Sequence, residues 1–120
     1  MKILVVDDEV EVGNFLVDFL KRLGLEAEKA ICGEDALKMV KLINPDWVLL
    51  DMKMPDFDGL EVLRRMKEIN PNIKSMMITG KSDEVSENEA RALGVRDYLV
   101  KPIDLSELRT KIKAYILDGK

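Results

Sequence analysis

The stretch Ile3-Leu4-Val5-Val6-Asp7-Asp8 decides the fold, because an unbroken apolar run ends abruptly at two carboxylates. A short run without polar interruption is typical of a strand that is buried on both faces of a parallel sheet. Three later runs also end at a polar residue: residues 47–50 at Asp51, residues 76–78 at Thr79, and residues 98–100 at Lys101. Because the carboxyl ends of parallel strands share one edge of the sheet, we expect these polar side chains to converge there.

Amphipathic helical segments separate the apolar runs, and residues 25–30 add a further short strand. Strands that alternate with helices five times predict an α/β fold, in which a parallel sheet is covered by helices on both faces. The fifth helix has the clearest start, because Asp104 and Glu107 have the spacing of a capping box. The other predicted boundaries are a first helix from near Glu9 to Gly24, a second from Gly33 to Asn44-Pro45, a third from near Gly59 to Asn70-Pro71, and a fourth capped by Ser82-Asp83.

Apolar residues spaced by three or four predict the face that each helix buries. The fourth helix has the thinnest apolar stripe, so we expect it to be the most weakly anchored and the most mobile. The predicted buried residues are Val12, Phe15, Leu16, Phe19 and Leu23 in the first helix, Ala36, Leu37 and Val40 in the second, Leu60, Leu63 and Met66 with Ile69 as a marginal member in the third, Val85, Ala90, Ala92 and Leu93 in the fourth, and Leu105, Leu108, Ile112, Tyr115 and Ile116 in the fifth.

Composition narrows the class of protein. The 120 residues predict one domain over residues 1–120, and the apolar content of 47% is enough for a core. The net charge of −4 argues against direct nucleic-acid binding, which usually requires a basic surface. No apolar run approaches the roughly 20 residues of a membrane span, and the N-terminus has no signal-peptide pattern. With one cysteine and no histidine, a disulfide framework and the usual zinc sites are excluded, and a cytoplasmic protein is predicted.

The polar residues at the strand ends predict a site for phosphoryl transfer. Crowded carboxylates attract a divalent cation and an adjacent lysine attracts an anion, so a phosphoryl group beside Mg²⁺ satisfies both. Asp51 is the candidate nucleophile, because it ends a rigid strand and a carboxylate can accept a phosphoryl group as an acyl phosphate. Taken alone, Asp51 is more readily explained as the first residue of a turn, but the polar residues at the other three strand ends overturn that explanation.

Asp7 and Asp8 are the candidate metal ligands. Adjacent residues at a strand end point in different directions, so one can bind Mg²⁺ directly while the other holds a coordinated water. The alternative is that these acids only stabilise the start of the following helix, whose dipole favours negative charge. Both roles are compatible, because a single acid is sufficient for the helix.

Lys101, Thr79 and Tyr98 complete the candidate site. The ammonium of Lys101 would balance the charge of the phosphate, and the hydroxyl of Thr79 would donate to a phosphate oxygen once it arrives. Tyr98 is a candidate second switch residue that moves between a buried and an exposed position. Each has a plainer explanation, as a solvated lysine, an ordinary strand threonine and a core or edge aromatic residue.

These motifs together resemble the receiver domain of two-component response regulators. The resemblance is carried by Asp7-Asp8-Glu9, by residues 49–55 with Asp58-Gly59, by Thr79-Gly80, and by residues 98–102, and it extends over essentially the whole chain. It implies a flavodoxin-like sheet with the strand order 2-1-3-4-5. It also implies a phosphoacceptor signalling domain, not an enzyme, that assists its own phosphorylation and autodephosphorylation.

The resemblance further implies a role for each site residue. Asp51 would be phosphorylated by the phosphohistidine of a sensor histidine kinase or a phosphotransfer protein. Mg²⁺ would be held by Asp8, by Asp51 and by the backbone carbonyl of Lys53, with Asp7 contributing through water. Lys101 would contact the phosphate, while Thr79 and Tyr98 would move together on activation.

The implied output surface is the face formed by the fourth helix, the fifth strand and the fifth helix. That face would bind a downstream output domain or protein target. The same face could also form a homodimer, and the sequence does not decide between these partners. No membrane contact and no direct nucleic-acid contact by this domain are expected.

Two alternatives are weighed against this interpretation. A small phosphatase of the haloacid-dehalogenase type also uses a strand-end aspartate, Mg²⁺, a hydroxyl and a lysine. That class carries an Asp-x-Asp motif after its nucleophilic strand, and neither candidate position fits it, since they read Asp7-Asp8-Glu9 and Asp51-Met52-Lys53 and no cap insertion is expected. The other alternative is a binding module that never carries phosphate, and the complete set of acids and lysine argues against it.

Overall fold

The computed structural model describes residues 1–54, 56, 58–80 and 87–118. Within them the strands form one parallel sheet in the order β2-β1-β3-β4-β5, as the resemblance implied. Their bounds are β1 Lys2–Val6, β2 Glu26–Ala30, β3 Trp47–Asp51, β4 Lys74–Gly80 and β5 Val95–Lys101. Asp51 and Lys101 are therefore the last residues of their strands, and Asp7 follows directly after β1.

The helices lie on both faces of the sheet, which confirms the doubly wound architecture. Their bounds are α1 Val10–Arg22, α2 Gly33–Ile43, α3 Gly59–Ile69, α4 Glu87–Ala92 and α5 Leu105–Ile112, and α5 continues into a π-helical turn over Lys113–Leu117. Helices α1 and α5 share one apolar cluster with one face of the sheet. Helices α2, α3 and α4 share a second cluster with the other face. Because β3 is buried along its whole length, Asp51 stands on a support packed from both sides.

Local signals place several helix ends where the sequence predicts them. Asp58 and Asp104 cap α3 and α5, each accepting a hydrogen bond from the backbone N–H three residues later. Gly24 follows α1 with a φ of 86°, and Asn44 ends α2 with a φ of 48°, both in the left-handed region typical of helix C-termini. The predicted cap Ser82-Asp83 and the predicted core residue Val85 lie outside the described residues.

Some predicted core residues are wrong. Phe15 in α1 is 40% exposed and Leu105 in α5 is 51% exposed, while Ile69 and Ala92 are also exposed. In α1 the prediction for Leu16 is confirmed, and the other buried residues are Gly13, Val17 and Leu20. Apolar residues occupy more than half of the circumference of this helix, so the spacing alone admits a stripe shifted by one position.

Candidate functional site

Three carboxylates converge at the carboxyl edge of the sheet. One side-chain oxygen from each of Asp7, Asp8 and Asp51 lies within 4.8 Å of the others. Asp7 and Asp51 are 1% and 4% exposed, whereas Asp8 is exposed at the rim. The convergence predicted from the strand ends is therefore present, and residues 44 positions apart along the chain, Asp7 and Asp51, meet in space.

Lys101 places its ammonium among these acids. Its Nζ lies 3.2 Å from Asp7 Oδ2 and 3.6 Å from Asp51 Oδ2. It also lies 2.7 Å from Glu9 Oε1, which is the shortest of the ion pairs that Lys101 forms with described residues. The sequence predicts Glu9 at the start of the first helix and within the Asp7-Asp8-Glu9 motif, but not as a partner of Lys101, although its place directly after Asp7-Asp8 is a signal that it lies at the same edge. The bond between Lys101 and Pro102 is a cis peptide.

Backbone hydrogen bonds fix the orientation of the two buried carboxylates. Asp7 Oδ1 accepts the N–H of Glu9 at 2.9 Å, and Asp51 Oδ1 accepts the N–H of Lys53 at 3.2 Å. Asp7 Oδ2 is buried without a hydrogen-bond partner in the described part of the chain; beside the other carboxylates of the cluster, the charge of Lys101 lies 3.2 Å from it. A buried anionic oxygen of this kind is costly unless a cation satisfies it. Three carboxylates around one small volume therefore fit a hard divalent metal ion that prefers oxygen ligands.

Burial and neighbouring charges perturb the protonation of the central groups. Burial, together with the negative charge of Asp7, raises the pKa of Asp51 to about 7, although the hydrogen bond from Lys53 and the charge of Lys101 oppose the increase. Burial lowers the pKa of Lys101, but the hydrogen bond to Glu9 and the charges of Asp51 and Asp7 outweigh it and raise the pKa above its ordinary value. Lys101 thus stays a cation, while the raised pKa of Asp51 lies close to neutrality.

The remaining predicted residues lie near the edge but outside this cluster. Thr79 is buried close to the end of β4, and in the described residues it makes no hydrogen bond with the acids. Tyr98 is half-buried in β5 and packs against the apolar cluster shared by α2, α3 and α4. Because side chains alternate along a strand, Tyr98 and Lys101 point to opposite faces of the sheet. Lys53 is exposed directly beyond the carboxylates.

The backbone directly after Asp51 lies close to the residues at the start of α3. The N–H of Gly59 donates to the carbonyl of Met52 at 2.9 Å, and Lys53 forms an antiparallel bridge with Asp58. A Cβ at position 59 would lie 2.8 Å from Met52 Cα and 2.9 Å from the Asp51 carbonyl oxygen. Only glycine therefore allows the chain to pass this close to the strand that carries Asp51.

Comparisons with known proteins agree with this geometry. The model of the response regulator receiver domain family matches residues 3–113. Sporulation initiation phosphotransferase F of Bacillus subtilis is 37% identical over 115 residues, which cover 96% of this chain and 93% of that protein. The alkaline phosphatase synthesis transcriptional regulatory protein PhoP of Bacillus subtilis is 35% identical over 115 residues. That match covers 96% of this chain but only 48% of PhoP, so the chain spans about half of its length.

Solved structures show the same fold. The CheY-like receiver domain protein from Methanospirillum hungatei superimposes with a TM-score of 0.85 at 27% identity, over 98% of this chain and 94% of that one. Among the described residues, no helix is both long and apolar enough to cross a membrane. The family match over nearly the whole chain, together with the acidic cluster and its lysine, shows that this chain belongs to the receiver domains of two-component response regulators.

Proposed function

We propose that Asp51 is the phosphoacceptor and that the cluster around it transfers a phosphoryl group with the help of Mg²⁺. The observation that carries the proposal is the position of Lys101, whose Nζ lies within 3.6 Å of both Asp7 and Asp51 beside three convergent carboxylates. A cation and a set of metal-binding oxygens around one small volume match the charge distribution of a phosphoryl group in transfer.

Asp8, Asp51 and the backbone carbonyl of Lys53 would hold the metal, with Asp7 contributing through water. When bound, Mg²⁺ would neutralise the acids and stabilise charge on the phosphoryl oxygens. It would also favour the ionised form of Asp51, whose pKa is otherwise raised to about 7. The orientation of the Asp51 carboxylate is already set by its hydrogen bond from Lys53, so little reorganisation is needed.

The donor is the phosphohistidine of a sensor histidine kinase or a phosphotransfer protein. A carboxylate oxygen of Asp51 attacks phosphorus, the bond from phosphorus to the histidine nitrogen breaks, and the electron pair stays on the imidazole, which takes up a proton. Lys101 remains protonated and balances charge on the transferred oxygens. Attack of water on the acyl phosphate at the same site would give autodephosphorylation.

The phosphorylated site would act as a switch. Thr79 would turn toward the new acceptor oxygens, and Tyr98 would follow into the space that opens. The two arrangements need to differ by only a few kcal/mol for phosphate to shift the population. The surface of α4, β5 and α5 would then bind an output domain, a protein target or a second copy of the chain.

The proposed setting is the cytoplasm, where histidine kinases deliver phosphate, and direct binding of nucleic acid or membrane by this domain is not proposed. A single domain over residues 1–120 stays a prediction. The phosphatase alternative is not favoured, because the position two residues after Asp51 carries the exposed Lys53 and not an acid. The phosphate-independent binding module is not favoured either, since all the acids and the lysine that phosphoryl transfer would require are present at one edge of the sheet.

Intact-mass spectrometry after incubation with a small acyl-phosphate donor tests the proposal. We expect the native chain to gain one phosphoryl group in the presence of Mg²⁺ and none after chelation. Asp51→Ala should gain none under either condition, whereas Asp18→Ala, which changes an exposed aspartate of α1, should behave as the native chain. Equal labelling of Asp51→Ala and the native chain would exclude Asp51 as the acceptor.

A further inference from the structure

The loop between β3 and α3 makes a side-chain contact with the start of the neighbouring helix α2. Asp56 lies in this loop, and its two carboxylate oxygens accept two backbone hydrogen bonds from the start of α2. The N–H of Gly33 donates to Asp56 Oδ1 at 3.0 Å, and the N–H of Glu34 donates to Asp56 Oδ2 at 3.0 Å. Both oxygens of one side chain therefore hold the first turn of a helix that precedes it by more than 20 residues.

Helix α2 has no side-chain cap of its own. Cys32 occupies its N-cap position in an extended conformation and makes no capping hydrogen bond. The first N–H groups of a helix have no partner within the helix, and a carboxylate close to them is stabilising. Helices α3 and α5 satisfy this need locally, through Asp58 and Asp104. For α2 the cap is supplied from the neighbouring loop.

The same loop carries backbone groups of the candidate site. Lys53 donates its N–H to Asp51 at 3.2 Å and pairs with Asp58, and Gly59 closes the loop onto Met52. These contacts hold the two ends of the loop against β3 and α3. Between these ends, Asp56 provides a separate attachment to α2.

We propose that Asp56 is a positioning residue for the metal site. By holding the loop against α2, it keeps the backbone of Lys53 where its carbonyl would meet the metal. This inference rests on the proposed Mg²⁺ site, because it assigns Asp56 a role in that site and not in folding alone. Residues that orient metal ligands typically change metal affinity by about 10-fold to 100-fold when they are removed.

The coupling also runs in the opposite direction. If Asp56 links the loop to α2, a metal that orders the loop must also protect the start of α2, because energetic coupling between two sites is reciprocal. We therefore expect Mg²⁺ to slow hydrogen exchange at the N–H groups of Gly33 and Glu34 in the native chain. The same groups should not respond to Mg²⁺ after Asp56→Ala.

Isothermal titration with Mg²⁺ separates positioning from simple capping. Asp56→Ala and Asp56→Asn both remove the negative charge, but the asparagine keeps one acceptor oxygen. We expect the Kd for Mg²⁺ to rise about 10-fold in Asp56→Ala and less in Asp56→Asn. The matched control is Asp46→Ala, which removes a carboxylate that accepts the N–H of Lys2 at 2.8 Å at the opposite end of the sheet. Its Kd should equal that of the native chain.

The outcomes distinguish the two levels of the proposal. If the Asp56 variants lose stability in urea but bind Mg²⁺ with the native Kd, Asp56 is only a helix cap and the inference is overturned. Equal losses of affinity in Asp56→Ala and Asp56→Asn would assign the effect to charge and would overturn it as well. If the native chain itself binds no Mg²⁺, the proposed metal site fails, and the positioning role fails with it.

Discussion

Replacement of Asp51 by asparagine should stabilise the protein at alkaline pH. Burial raises the pKa of Asp51 from 3.8 to about 7, so between about pH 4 and pH 7 the folded chain holds a proton that the unfolded chain has released. The free energy of unfolding must then fall as the pH rises through that window, because the native state binds more protons than the unfolded state. Because asparagine carries no titratable charge, the free energy of unfolding of Asp51→Asn should not fall in this pH window.

The size of the effect follows from the increase in the pKa of Asp51. Three pKa units correspond to roughly 4 kcal/mol, since each unit is about 1.4 kcal/mol. The exposed Asp8 and Glu9 leave the rim of the site open to water, which screens part of the interaction. We therefore expect Asp51→Asn to exceed the native chain by about 2 kcal/mol in its free energy of unfolding at pH 8, and to match it closely near pH 4.

Urea unfolding at several pH values, in buffer with a chelator, measures this difference. The control is Asp18→Asn, an exposed aspartate of α1 that should follow the native profile. Saturating Mg²⁺ should raise the stability of the native chain at pH 8 by binding to the folded state alone. If Asp51→Asn and the native chain lose or gain stability in parallel from pH 4 to pH 8, the reasoning from the buried carboxylate is wrong.

Two further substitutions test the site and its support. Lys101→Met should slow phosphorylation by an acyl-phosphate donor at least about 10-fold, because a charge that stabilises the transition state is lost. The same substitution should tighten Mg²⁺ binding, because a competing cation is removed. A mass-spectrometric time course and a metal titration measure the two effects, and a native rate would contradict the role of Lys101. Gly59→Ala should cost about 2 kcal/mol in urea unfolding, since its Cβ would lie 2.8 Å from Met52 Cα and 2.9 Å from the Asp51 carbonyl oxygen. Gly13→Ala is the matched control, because its Cβ would meet nothing closer than 3.8 Å, and an equal loss in both variants would refute the steric explanation.

The sheet and the central acids were predictable because the signal in the strands is strong. Unbroken apolar runs mark parallel strands, and the first polar residue after each run marks the carboxyl edge. This is why Asp7, Asp51 and Lys101 were correctly brought together from residues that lie far apart in the chain. The strand order itself came from the resemblance to receiver domains, since alternation of strands and helices is compatible with more than one order.

The faces of the helices were less predictable. In α1 apolar residues point in most directions, so Phe15 was placed in the core although it is exposed, and Leu20 was overlooked although it is fully buried. In α5 the buried stripe runs through Leu108 and Ile112, and Leu105 precedes it at the exposed first turn. A helical pattern fixes the width of the apolar stripe more firmly than its centre.

Contacts that depend on tertiary structure were missed. Glu9 approaches Lys101 only because the start of α1 and the end of β5 lie side by side. Asp56 caps α2 only because the fold brings Asp56 beside the start of a helix that is distant in sequence. Neither contact has a local motif, since exposed acids in loops are common and their partners are set by the packing of other elements.

The most direct measurement locates the phosphoryl group itself. The native chain is incubated with a small acyl-phosphate donor and Mg²⁺, the acyl phosphate is cleaved reductively so that the modified residue is marked, and the peptides are sequenced by mass spectrometry. The mark should fall on Asp51, the residue that ends β3 beside Lys101. A mark on Asp7, on Asp8 or on a residue away from this edge, or no mark at all, would contradict the assignment of this cluster as a phosphoacceptor site.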